Sequence, residues 1–334
     1  MSAQASVRSY LGIAKESAEG TAVAPSKFIP VALGKLKATD IIAPLLDEGV
    51  RGANAKEYNY IQGRKHSEIE WGGPVFPDTL PWAIGGVLGD ITTTGSGPYT
   101  HSIALENSTA TGASSANPQP TTLTLTDFYA ANVRSYPGCK VHDFTLNFSA
   151  EGLLEYDAKA TGWASSVPST PSPTWDNTIL PVPVWAATVT LGGTTVSNVV
   201  EGMISMARPV TPIFGIANTQ NPYTVFSGPL EVKGQLKFVM EDDTQLTAFL
   251  SQDSANLPAL VVNWSQGSGA SATQIQATLS KRAYTTAVID RGKDYVEIVV
   301  DIIGMANSTD VGSSAGFSPI KWAIKNAIST NIYQ

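Results

Sequence analysis

The 334-residue sequence holds one cysteine, three histidines and only 15% charged residues. Cys139 has no partner for an intramolecular disulfide or a thiolate metal cluster, so nothing here depends on an oxidising compartment. It follows Pro137-Gly138 at the start of a strand and reads as a small buried apolar residue. His66, His101 and His142 lie at no metal-ligand spacing and read as ordinary structural or surface histidines. There is no G-x-S-x-G elbow and no G-x-x-x-x-G-K loop, and no set of nucleophile, base and orienting group converges, so an enzyme is the weakest functional class and no cofactor is expected. No apolar run approaches the length of a membrane span, and the first twenty residues lack a continuous apolar core. Synthesis and folding in a cytoplasm, without a membrane partner, is the expectation. The net charge of −7 divides into −4 over residues 1–165 and −3 beyond, which argues against a surface built to grip nucleic acid.

What the chain does have is Thr, Ser, Gly and Val, a composition that favours strands and turns over helices, and an internal echo. VHDFTLNFSAEGLLEYDAKATGWASS at 141–166 returns as YTTAVIDRGKDYVEIVVDIIGMANS at 284–308. In the first copy Phe144, Leu146 and Phe148 alternate with polar residues, a turn with Gly152 follows, and Leu154, Tyr156, Ala158 and Ala160 alternate with Glu155, Asp157, Lys159 and Thr161. Period two on both sides of a turn predicts a hairpin. A constant shift of 142 residues places Glu155 on Glu297 and Gly162 on Gly304, with Val296, Ile298, Val300 and Ile302 as the second apolar row. Upstream, VALGKLKATDII (31–42) echoes VTLGGTTVSNVV (189–200), setting Asp40 on Asn198. Asp78-Thr79 and Asp243-Thr244 each precede a short predicted helix, with Asp suited to the cap and Pro81 to the first turn. The order in both halves is strands, short helix, strands.

This divides the chain into a first unit with an N-terminal arm (1–165), a Pro-rich linker (166–184), a second unit (185–310) and a tail (311–334). The arm, broken by Pro25 and Pro30, is expected to be extended. Residues 46–62 and 205–224 read as long loops at equivalent places, the second too apolar to be left in water. Residues 106–121 read as a mobile polar loop. The five prolines of 165–183 are expected to keep the units at a semi-rigid distance. In the tail, Ser318 and Pro319 suit a helix start, and Ile320, Ala323, Ile324, Ala327 and Ile328 form one helical face. Glu68 with Glu70, and Glu155 with Asp157, put carboxylate pairs on one side of a strand. Such pairs are ordinarily a solvated face, which acquires a purpose if that solvent is enclosed.

The arm GIAKESAEGTAVAPSKFIPV, the stretch EGVRGANAKEYNYIQGRKHSEIEWGG, the helix start FPDTLPWAIGGVLG and the run YPGCKVHDFTLNFSAEGLLEYDAKATGW together resemble the major tail tube proteins of long-tailed bacteriophages. The resemblance covers most of the first half, and the second joins through the repeat. It implies a mainly β fold with short helices, a tandem pair of tail-tube-type β-sandwich or split-barrel units, and a structural virion protein assembled in the host cytoplasm. Such a protein forms stacked rings around the channel for genome delivery, from three two-unit chains or as a hexamer. The implied partners are further copies of the chain, the tape measure protein, terminator and tip proteins, and duplex DNA that passes without specific binding. With four strands per unit, three chains give about 24 strands and a wall about 37 Å across before tilt widens it. Glu155 and Glu297 are then candidate lumen residues, and Arg51, Tyr58, Tyr60, Ile213, Phe214 and Tyr223 candidate ring-stacking residues. The alternative is a β-rich virion or surface binding and decoration module, which would carry an exposed pocket and remain a monomer or compact trimer.

Overall fold

The computed structural model describes residues 4–107, 119–253, 257–269, 272–329 and 332–333. The polar stretch expected as a loop at 106–121 lies, from 108 to 118, outside the described residues. The fold is mainly β. The first half supplies β1 (Tyr10–Lys15), β2 (Lys27–Ile29), β3 (Lys37–Asp47), β4 (Asn59–Pro74), helix α1 (Leu80–Leu88), β5 (Gly89–Thr94), β6 (Tyr99–Leu105), β7 (Leu123–Phe128), β8 (Val133–Ser149) and β9 (Glu155–Gly162). The second supplies β10 (Ala187–Leu191), β11 (Thr194–Val196), β12 (Val199–Ala207), β13 (Val210–Ile213), β14 (Thr224–Ser227), β15 (Glu231–Val239), helix α2 (Thr244–Ser251), β16 (Leu260–Gln266), β17 (Thr273–Leu279), β18 (Arg282–Asp290), β19 (Glu297–Gly304) and β20 (Lys321–Asn326).

Eight of these strands form one antiparallel ladder in the order β3-β4-β9-β8-β12-β15-β19-β18. Each half contributes four neighbours, and in each the order is first, second, fourth, third by chain position. The N-terminal part of β8 also carries a wing, β7-β1-β2. A second sheet, β11-β10-β16-β17-β20-β6-β5, covers the ladder's apolar face. Alternation explains why the layers adhere: Phe144 and Phe148 on β8 point inward and meet Trp322 of β20 and Trp264 of β16 edge to face, with ring centroids 6.1 and 5.4 Å apart. One core runs through both halves.

The halves are therefore not held apart by the Pro-rich segment. β8 and β12 pair directly over seven residue pairs, from Ser149–Glu201 to Asp143–Ala207. The segment itself lies against the wing, where the Pro171 carbonyl accepts the Tyr10 hydroxyl (3.0 Å) and Trp175 covers Tyr10 and Phe28. The arm is extended as expected, and its apolar run Tyr10–Lys15 is a strand buried against β7.

The expected helix over the tail is strand β20. Ile320, Trp322 and Ile324 are all fully buried; their period of two and the β-favouring Trp and Ile outweigh the helical spacing that also fits this stretch. β20 sits between β17 and β6 and so joins the halves in the second layer too. Both helices after Asp-Thr form as expected, but neither aspartate caps by its side chain. Asp78 instead pairs with Lys27 at 2.6 Å. Helix α1 is buried all round, and a Cβ on Gly86 would stand 2.5 Å from Val141, so glycine permits its approach to β8.

Gly202 plays the same part at the joint between the halves. It faces the core opposite Phe148, whose ring lies where a Cβ would stand, 2.2 Å away. Gly202→Val should therefore displace Phe148 from Trp264 and cost about 1–3 kcal/mol, read as a lower denaturant midpoint; an unchanged midpoint contradicts this packing.

Half-buried Asp127 on β7 supplies a pH signature. Burial raises its carboxyl to about 6, so the folded state binds this proton more tightly than the unfolded chain. Its contribution to stability falls as pH rises from the ordinary carboxylate range through about 6. Asp127→Asn should stabilise the protein at pH 7.5 by about 2 kcal/mol and shrink that gain at pH 5. Equal melting shifts at the two pH values would refute this.

Candidate functional site

The ladder's second face is largely polar, with Met203 of β12, Val299 and Ile303 of β19 and Val288 of β18 among its apolar members. Register and alternation bring Lys37 and Thr39 of β3, Glu68 and Glu70 of β4, Glu155, Asp157 and Lys159 of β9, and Asp143, Thr145 and Asn147 of β8 to one side. Glu201 and Ser205 of β12, Lys233, Gln235 and Lys237 of β15, and Asp301 of β19 continue it. The even-numbered residues of the hairpins turn to the core as expected: Leu154, Tyr156, Ala158, Ala160, Ile298, Val300 and Ile302 are buried. Val296 is not; it precedes β19 and is exposed.

Much of the charge on this face is compensated strand to strand. Lys159 meets Glu70 at 2.7 Å and Lys237 meets Glu201 at 2.6 Å. Those hydrogen bonds hold both carboxyls below their ordinary range. Gln235 donates to Asp301 at 2.8 Å. Across the joint between the halves, Glu155, Asn147, Glu201, Met203, Gln235 and Lys237 border a shallow depression of about 410 Å³.

The two sequence-predicted lumen glutamates differ in setting. Glu155 is exposed on the polar face. Glu297, on the same side of its sheet by alternation, is 1% exposed, and its carboxylate takes Lys293 Nζ at 2.8 Å. The residue that shares a hydrogen-bonded row with Glu155, through Asn147, Met203 and Gln235, is Asp301.

Both ends of the ladder are open. Among the described residues, β3 pairs only with β4 and β18 only with β19, leaving a row of backbone donors and acceptors at each edge.

The expected loops at 46–62 and 205–224 are largely the outer parts of two hairpins. β3 and β4 stay paired to Asp47–Asn59, and β13 and β14 to Ile213–Thr224, so the tips are residues 48–58 and 214–223. Pro44 and Pro212 are tolerated because Pro44 stands at a bulge and β13 is an edge strand. Of the predicted stacking residues, Tyr60, Ile213 and Tyr223 expose their side chains. Arg51 pairs with Asp47 and lies 4.6 Å over the half-buried Tyr58 ring. Phe214 lies under Arg64, 4.9 Å away, and beside His66. The second tip is thus laid across β4 of the first half, and Gln220 bonds the backbone there in both directions.

Sequence reading missed Arg208. It is buried, donating from Nη1 to the Val87 carbonyl (2.8 Å) in the last turn of α1 and from Nε to the Gly228 carbonyl (2.9 Å), so a second-half cation sits at the C-terminal pole of the first-half helix. A lone Arg before Pro209 carries no periodic signal of that role. His101 is a structural residue, bonded to Thr93 and Asn326 at 2.9 Å each, and burial lowers its pKa. No group of three or more His, Cys, Asp or Glu among the described residues is placed to hold a metal ion.

Comparison with known proteins gives one finding: a family model described as phage tail tube protein matches residues 6–309. No curated protein matches the chain.

Proposed function

The chain belongs to the phage tail tube protein family, a structural component of the virion tail, and from that premise we propose that three copies close into a ring and that rings stack into the conduit for the genome. The observation that carries this reading is the eight-strand ladder, four strands from each half in the same order, polar on one face and open at both ends. A chain built as two successive units needs only to be repeated head to tail for the ladder to close, and closure removes both edges.

Register supports a closed wall of suitable width. The row from Glu155 reaches Asp301, whereas the counterpart of Glu155 by hairpin position is Glu297, four residues back along β19. Four residues over four strand steps is a tilt of about 35°, in the range of closed barrels, and 24 strands so tilted enclose a wall about 45 Å across. The polar face lines the lumen on this reading. Its paired charges leave DNA phosphates little to bind, so the genome slides past. Glu155 contributes most directly; Glu297, covered and neutralised by Lys293, less. The tape measure protein occupies the same lumen during assembly, terminator and tip proteins close the ends, and the hairpin tips with Arg51, Tyr58, Tyr60, Ile213, Phe214 and Tyr223 meet the next ring.

Electron microscopy of the purified chain tests the reading: rings or tubes are expected, and a protein that stays monomeric at every concentration refutes it. Ile213→Ser with Tyr223→Ser should leave rings but stop tube growth, since both side chains are exposed at the second tip; tubes of normal length would remove the tips from the stacking contact. Glu155→Lys should leave stability within about 0.5 kcal/mol of the parent while slowing DNA ejection from assembled tails, and ejection at the parental rate would take Glu155 off the lumen.

A further inference from the structure

We infer that β18 of one copy pairs with β3 of the next in the register that β8 and β12 already use within the chain, setting Lys37 opposite Asp290. This rests on the ring reading and adds to it a specific interface.

The counterpart positions are fixed by features of each hairpin. The β3–β4 hairpin ends at Asp47–Asn59 and the β12–β15 hairpin, through β13 and β14, at Ile213–Thr224. Counting back from the tips, the register slips once in each: between Ile42 and Pro44, and between Ala207 and Val210. A glycine stands at both slips, where a Cβ on Gly63 would meet Ala43 at 2.8 Å and one on Gly228 would meet Pro209 at 2.7 Å. Lys37 is thereby the counterpart of Met203, Thr39 of Ser205 and Ile41 of Ala207. Asp40 falls on Met206, not on Asn198 as the upstream echo suggests. The other pair of hairpins agrees. β8–β9 and β18–β19 begin at Asn147–Glu155 and Asp290–Glu297, and each slips once, between Val141 and Asp143 and between Tyr284 and Thr286. Asp290 is the counterpart of Asn147, Val288 of Thr145 and Thr286 of Asp143.

Within the chain, Asn147 pairs with Met203, Thr145 with Ser205 and Asp143 with Ala207. Carried to the open edges, these become Asp290 with Lys37, Val288 with Thr39 and Thr286 with Ile41, three pairs on the polar side of the sheet. The chemistry fits. Lys37 and Asp290 are exposed, neither forms a salt bridge among the described residues, and their charges are opposite. Asp290 accepts a hydrogen bond from the Gly292 N–H at 2.8 Å, which fixes its carboxylate. On the core side Asp40 would face Ala287, but it already accepts Ser165 N–H and O–H at 2.8 and 2.6 Å, so no bare charge is buried. The outer β3–β4 hairpin, with exposed Leu45, Leu46, Tyr60 and Ile61, then has a neighbour to lie across, as the β13–β14 hairpin lies across the first half.

The test is a cysteine cross-link in the full chain, where fully buried Cys139 does not compete. Thr39→Cys with Val288→Cys should give covalent multimers on mild oxidation. Thr39→Cys with Asp290→Cys, slipped by two residues on the same face, should give at least tenfold less. Rings seen by microscopy with the slipped pair cross-linking better, or with neither pair cross-linking, overturn the register but leave the ring reading; absence of rings from the parent chain overturns both. Lys37→Asp and Asp290→Lys should each cut ring yield at least tenfold at low salt, and the double variant should restore it. Single variants that assemble at the parental yield overturn the charge pairing.

Discussion

The pairing of β8 with β12 is the interaction on which the rest of the molecule depends. It turns two four-strand groups into one ladder, aligns their polar faces, and sends their apolar faces to a common core. Its chemistry is local: Gly202 gives up its side chain so that the Phe148 ring can lie across the strand and reach Trp264. Other contacts reinforce the same joint. β20 is drawn between β17 and β6, and Arg208 reaches from the end of β12 to the C-terminal pole of α1. A chain joined this firmly internally and open at both outer strands has one unmet requirement, a partner for each edge, and in the proposed ring the two neighbouring copies supply one each.

Electrostatics on the polar face follow from the same geometry. Ladders such as Glu70–Lys159 and Glu201–Lys237 put opposite charges on adjacent strands, where exposed pairs add little stability but cancel the field that a single-sign row would project. A surface of that kind neither grips nor strongly repels a passing polyanion. At the margins Lys37 and Asp290 form no salt bridge among the described residues, and in the proposed interface their opposite charges steer edge pairing and discourage strands that would join in the wrong register.

Much of the architecture was legible in the sequence because period two leaves few choices. The alternation from Phe144 to Ala160 located the β8–β9 hairpin and sorted its faces, and Asp78-Thr79 with Pro81 located the start of α1. What escaped had competing signals. The stretch from Ile320 to Ile328 satisfies both a helical and a strand spacing, and only the slot between β17 and β6 decides for strand. The polar, glycine-containing composition of 46–62 and the prolines of 205–224 disguised paired strands as loops, although proline is admissible at edges. Glu297 kept its predicted side of the sheet but is buried and paired with Lys293, which no local pattern announces. The proposed edge pair of Lys37 and Asp290 was invisible because hairpin counterparts depend on where each bulge falls, and bulges are a property of pairing.

The most direct measurement is a cryo-electron microscopy reconstruction of the assembled tube, resolved well enough to count strands around the lumen. A wall of about 24 continuous strands from three chains, with the contact between chains superposable on the joint between β8 and β12, is the predicted result. A wall of six chains, a break in the sheet at each chain boundary, or a lumen lined by another face of the molecule would contradict it.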